Sequence, residues 1–220
     1  MLSLLSDYRA TMRKLGGAFL VIQIAVFGGF TVLAPPANAI TKSQIATKVL
    51  SLSDMPTGWS VDNSGGGSVS DFGGCLKGLQ AIKKRAKGIV RASVGYQEGT
   101  VPFLIEIIEA GPGAVARYRK FNAILLGCKT ISFSASGSKV TGTVGAMSFP
   151  KVGDSSSAYA VTFTVQGETL GIDLVFFRVG QFDGELAYAD ISPDSNIVQA
   201  FATEVVDKIL GKPTSPPTET

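Results

Sequence analysis

The 220-residue chain has no histidine, two cysteines and one tryptophan. Each scarcity removes a class of chemistry. Without an imidazole, the common serine–histidine and cysteine–histidine nucleophile arrangements are excluded. The serines of Gly153-Asp154-Ser155-Ser156-Ser157 would need a lysine or carboxylate as base, and the segment reads as a polar loop ahead of a strand. Two distant cysteines and no histidine cannot complete a zinc shell, so no metal site is expected. Glu106 and Glu109 lie three apart on one strand and point to opposite faces, so they form no acid–base pair. No set of residues is arranged for catalysis, and neither an enzyme nor a cofactor is expected.

Excess charge is scarce too. The chain has 20 basic and 17 acidic residues. Without residues 1–39, which hold Arg9, Arg13, Lys14 and Asp7, there remain 17 and 16. A nearly neutral balance gives no electrostatic footprint for nucleic acid.

What is present begins with one long apolar run, Leu15 to Leu33, interrupted by Gln23 and preceded by Arg13-Lys14. Pro35 and Pro36 stop it, and Ala37-Asn38-Ala39 follows. A basic start, an apolar middle and small residues at −3 and −1 make a secretory signal peptide. Residues 1–39 are therefore read as the leader, with Met12 as an alternative start. No cysteine stands at the cleavage point to carry a lipid. A run of this length can also span a bilayer, so an uncleaved N-terminal membrane anchor is the alternative. In both cases the positive residues stay inside and the rest faces outward, secreted or held in the extracytoplasmic cell envelope. An exported chain meets oxidising conditions, and an even count of cysteines points to one disulfide, Cys75 to Cys128. Two buried free thiols are the alternative.

Residues 40–211 read as one α+β domain and 212–220 as a disordered Pro/Thr-rich tail. Helices are expected over Ser43–Leu52, with Ile45, Val49 and Leu52 on one face, and over Gly74–Lys87. A third follows Gly111-Pro112-Gly113, with Val115, Tyr118, Phe121 and Leu125 buried. The last follows Ser192-Pro193 as its cap, with Ile197, Phe201, Val205 and Ile209 inside. Asn63 to Gly74 is rich in Gly and Ser and reads as a flexible loop. Strand patterns cover 89–97, 102–109, 131–135, 140–149, 158–166, 170–179 and 185–190, with turns at Gln166-Gly167-Glu168 and Gln181-Phe182-Asp183-Gly184. Successive hairpins with helices between them indicate an antiparallel sheet with helices packed on one face.

Three features invite function. Gly111-Pro112-Gly113-Ala114-Val115-Ala116 matches a dinucleotide fingerprint, but the flanking strands pair as hairpins and no acidic residue ends the next strand. Helix-start chemistry is the better reading. Lys77, Lys84 and Lys87 project to one side of a basic helix. They form a solvated face or a peripheral contact with anionic lipid head groups or wall polymer. Leu170–Val179 is apolar on both faces, which suits a central strand covered on both sides. The face carrying Phe177 and Val179 is either plain core or the wall of an apolar cleft, with Trp59 and Tyr188 as its further ligand-binding candidates.

Leu52-Ser53-Asp54-Met55-Pro56-Thr57-Gly58-Trp59 resembles the opening of many exported actinobacterial proteins. A Cys-led helix follows, then a helix of type A-x-x-Y-x-x-F ending in Cys, then G-D-x-x-x-x-Y, paired strands and a terminal helix. Over about residues 43–210 this order resembles the extracellular sensor domain of mycobacterial Ser/Thr protein kinase H and its stand-alone secreted or lipoprotein relatives. The resemblance implies an antiparallel sheet with helices on one face, a cleft proposed to bind a ligand, and Cys75–Cys128 as the family's first disulfide. The second bridge of the kinase sensor is missing, and no kinase domain is present. The expected function is a non-enzymatic, sensor-like binding protein whose partner is an apolar small molecule or lipid, or an envelope protein. A carrier of an apolar molecule in a sheet–helix cleft is the alternative, and an extracytoplasmic hydrolase a distant third.

Overall fold

The structure, a computed structural model, describes residues 40–62, 69–84, 88–99, 101–135, 138–165 and 168–217. The leader with its cleavage site, Lys87 and the Gln166-Gly167 turn lie outside these residues. Nine strands form one sheet: β1 Ser60–Val61, β2 Val69–Gly74, β3 Val90–Gln97, β4 Phe103–Ala110, β5 Thr130–Ala135, β6 Ser138–Met147, β7 Ser155–Val165, β8 Glu168–Val179 and β9 Phe182–Asp190. Their order across the sheet is β1-β3-β4-β9-β8-β7-β6-β5-β2, and every pairing is antiparallel. Among the described residues four helices accompany it: α1 Lys42–Ala46, α2 Leu76–Lys84, α3 Ala114–Leu126 and α4 Ser195–Leu210. The domain is α+β and single, as expected.

The strand with two apolar faces, β8, occupies the middle of the sheet between β7 and β9. Its alternate residues enter two different cores. Leu170, Ile172 and Phe176 join Ile105, Ile107, Val161 and Phe163 beneath Tyr118, Phe121 and Leu125 of α3, with Leu79 and Ile82 of α2 against them. Val175, Phe177 and Val179 join Leu104, Ile108, Leu186 and Tyr188 beneath Val198, Phe201 and Val205 of α4 and Ile45 of α1. Helices therefore pack on both faces, not on one. The reason lies in β8 itself: two apolar faces at the sheet's centre both have to be removed from water. The apolar stripe of α4 and the segment before β1 cover the second face.

Two aromatic rings fit because glycine stands opposite them. Phe177 pairs with Gly184, where an added Cβ would come within 1.9 Å of the ring. Phe163 pairs with Gly142, where a Cβ would meet the ring at 2.6 Å. Each ring lies across the neighbouring strand instead of rising from the sheet.

Some local expectations change. The first helix ends at Ala46, and a short 3-10 turn at Leu52–Asp54 follows. Val69–Gly74, expected as part of a loop, is an edge strand paired with β5, with a register shift between Ser70 and Gly73. Pairing and the disulfide next to it hold a segment whose own residues have weak strand preference. The cap of α4 is Asp194 rather than Ser192: its carboxylate accepts from the Asn196 amide at 2.8 Å. Cys75 and Cys128 are bonded with Cα atoms 5.8 Å apart. The bond ties the residue before α2 to the segment just after α3. Residues 212–217 have no regular structure, and Thr214 donates to Asp54 at 3.0 Å.

Candidate functional site

The four ligand-binding candidates of the sequence come together in one core. Trp59, Phe177, Val179 and Tyr188 are buried, and Phe177 has no exposed surface. Trp59 packs edge-on against Phe201 of α4, with ring centroids 5.7 Å apart. The roof over this face is the chain's own: α1, the segment 47–59 and α4.

That roof is fastened by polar groups. Glu106, on the same face of β4 as Leu104 and Ile108, is fully buried. Its Oε2 accepts from the Leu50 amide at 2.8 Å, and the Tyr96 hydroxyl donates to the Leu50 carbonyl at 2.8 Å. A main-chain unit of the roof is thus held on both sides by sheet side chains. Burial raises Glu106 to about 8, although the Leu50 amide pulls the other way. Asp54 accepts from the Ser51 amide at 2.7 Å and pairs with Lys208 of α4. Burial alone would raise Asp54, but hydrogen bonds from Lys208, Ser51 and Thr214 prevail and hold it at about 2.

The opposite face is finished differently. Between α2 and α3 lies an open groove of about 750 Å³. Gly78, Ala81 and Ile82 form one wall, and Ala116, Arg117, Lys120, Ala123 and Ile124 the other. Ile89, Pro112 and Gly113 close one end. The α3 wall repeats every three to four residues, so it is a helical face flanking the one that packs on the sheet. Small residues keep the groove open, and where the helices approach, a Cβ at Gly78 would sit 3.1 Å from Ile124.

Below this groove lies a buried charge network. Arg117 is 6 % exposed. Its Nη2 lies 2.8 Å from Glu109 Oε2 and 2.8 Å from Asp183 Oδ2. Arg91 holds the other oxygen of Glu109 through Nε at 2.6 Å. Glu109 and Asp183 are register partners on β4 and β9, which brings both carboxylates to one guanidinium. Burial raises Asp183 to about 7, against the pull of Arg117 and with added repulsion from Glu109. Among the described residues, Arg117 Nη1 and Asp183 Oδ1 are buried without a hydrogen-bond partner.

Sequence reading missed Arg117. Its stripe for α3 was chosen for apolar residues, and a buried arginine beside Tyr118 carries no signature of its own. The available signal was Ala116, Lys120 and Ala123, a run of small and basic residues where a covered helix face would be larger. Lys77 is exposed on α2, and Lys84 ends the helix. Gly111 and Gly113 serve the turn into α3. A Cβ at Gly111 would meet the Gly88 carbonyl at 2.6 Å, and Gly113 is the N-cap with φ of 85°. A smaller polar hollow of about 440 Å³ lies between α4 and residues 213–217. Among the described residues, no group of three or more potential ligands could hold a metal ion.

No protein-family model matches the chain, and no curated protein matches it. Among solved structures, it is similar to the crystal structure of the extracellular domain of PknH from Mycobacterium tuberculosis, with a TM-score of 0.63 and 10 % identity. The match covers 80 % of this chain and 100 % of that one. The two share a fold, and at that identity the likeness assigns no residue a role.

Proposed function

We propose that the chain is an exported, sensor-like binding protein of the cell envelope that works without catalysis and takes an apolar ligand between α2 and α3. The observation that carries this reading is the contrast between the faces. The Phe177 face is filled by the protein's own side chains, while the opposite face keeps an open concavity lined by Ala81, Ile82, Ala123 and Ile124. Concave, mostly apolar sites with a few polar groups are where small ligands bind. The fold shared with an extracellular domain supports the setting, as does the signal-peptide pattern of residues 1–39. A carrier of an apolar molecule would use the same groove.

Native mass spectrometry tests the reading on protein recovered from the extracytoplasmic fraction of its own host, where the chain should begin at Ile40. A retained ligand mass is expected, and Ala123→Trp, which fills the groove, should lose it. A wild-type chain with no retained mass that also fails to bind an apolar probe such as dodecanol would end the proposal.

A further inference from the structure

The ligand groove proposed above contains groups that an uncharged apolar molecule would leave unused. The first is Arg117. It lines the groove, yet is more than nine-tenths buried, and its Nη1 has no acceptor among the described residues. A buried guanidinium donor without a partner is costly, more so than a neutral one. Its Nη2 is already shared between Glu109 and Asp183, so the vacancy is on the other nitrogen.

The second is the start of α3. This helix is 13 residues long, has glycine as its N-cap with no side-chain cap hydrogen bond, and has no acidic residue in its first turn. The Ala114 amide donates to the Gly111 carbonyl at 3.2 Å, and the remaining first-turn amides with the helix dipole make such an end attractive to an anion. Among the described residues, a Cβ at Gly113 would meet nothing within 4 Å.

The third is a second cation on the groove wall. Lys120 is exposed on the groove wall one turn beyond Arg117. The rest of the lining is Ala, Ile, Gly and Pro, which a free inorganic ion would not need.

We propose that the ligand is an anionic amphiphile: its carboxylate or phosphate sits at the start of α3 against Arg117 and Lys120, and its apolar chain lies between α2 and α3. The anion supplies the acceptor that Arg117 Nη1 lacks among the described residues and faces the Lys120 ammonium. This rests on the groove being the binding site, so the test separates the two ideas.

Dodecyl phosphate, dodecanoate and dodecanol, each below its micelle concentration, are titrated into the exported protein by calorimetry, with inorganic phosphate as a competitor. Both anions should bind about tenfold or more tighter than dodecanol, the scale of a charge-assisted hydrogen bond. Whichever anion binds more tightly tells a phospholipid-like source from a fatty-acid-like one, and either order supports the proposal. Lys120→Glu alters an exposed residue and should fold normally; it should remove most of the preference for the anions over dodecanol. Arg117→Lys keeps a cation for Glu109 and Asp183 but removes Nη1, and should also lower the preference. Equal affinity for all three compounds overturns the anionic assignment and leaves the groove standing. Binding of none overturns the groove itself. A preference that survives both substitutions places the anion elsewhere, and full competition by inorganic phosphate shows that the apolar chain is not recognised; either result refutes the proposal.

Discussion

The two faces of the sheet start from the same material and end differently. Both are apolar at β8, and both carry helices. On the Phe177 face, α4 and the segment before β1 close over the sheet, with Leu50 held by Glu106 and Tyr96 and Asp54 held by Lys208. On the other face, α2 and α3 cover the sheet but keep a groove between them. Apolarity along a strand therefore says that a face is covered, not by what. The deciding residues are those of the cover: large side chains such as Trp59 and Phe201 on the sealed side, and Gly78, Ala81, Ala116 and Ala123 on the open side.

The sharpest way to break this comparison is a charge beneath the sealed roof. Phe177→Asp removes a ring with no exposed surface that lies across Gly184. Loss of a buried phenylalanine alone costs about 3–5 kcal/mol, and an unpaired carboxylate adds a large burial penalty. Against a total stability of roughly 5–15 kcal/mol, this variant should lose its cooperative melt by circular dichroism. Ala123→Trp on the open side should melt within a few degrees of the wild type. A folded Phe177→Asp protein would mean that Trp59, Phe177, Val179 and Tyr188 line a real cleft.

A smaller effect falls on the open face. The Cys75–Cys128 bond spans 53 residues, and in the chain-entropy picture such a loop is worth about 4 kcal/mol. Replacing both cysteines by serine should lower unfolding stability by that order in urea titrations. The loss should be felt first at α2, because the bond joins its start to the segment after α3. Hydrogen exchange should show α2 amides losing protection while those of α4 keep it. Equal loss in both helices would mean that the bond acts on the whole domain and not on the groove.

The frame of the fold was legible in the sequence for physical reasons. The alternation in residues 158–165 and the double apolarity of 170–179 marked strands and the central one among them. The stripes of α3 and α4 marked their buried faces. Edge strand β2 was hidden, because Val69-Ser70-Asp71-Phe72-Gly73-Gly74 has little strand preference and is held by its pairing with β5. The helix arrangement was hidden because a stripe shows that a helix is covered without saying by which face of the sheet. Ile45, Phe201 and Val205 were identified as buried, but their meeting with Phe177 depends on contacts far apart in the chain. The groove left the least trace. It is made by small residues, and its buried arginine is recognisable only once Glu109 and Asp183 are seen side by side.

Acidity offers the finest discrimination between the faces. Glu106 on the sealed face is raised from 4.5 to about 8, and Asp183 on the open face from 3.8 to about 7, in both cases chiefly by burial. Glu204 of α4 is likewise raised to about 7 by burial. A carboxyl with a raised value in the folded protein holds its proton where the unfolded chain has released it, so stability falls as pH rises from about 4.5 to about 8. Asp54 works in the opposite sense, since its value is lowered to about 2 and its contribution is lost only below the ordinary carboxylate range. The protein should therefore melt higher at pH 5 than at pH 8, by about 2–4 °C for each kcal/mol of net change in a domain of this size. Glu106→Gln keeps an acceptor for the Leu50 amide and cannot ionise, so it should flatten part of this slope, the part that belongs to the sealed face. The remainder belongs to Asp183 and Glu204, with a further part from Asp173, which burial also raises. A melting temperature that does not move between pH 5 and pH 8 would show that water reaches Glu106, and the roof over the sealed face would then be looser than its packing indicates.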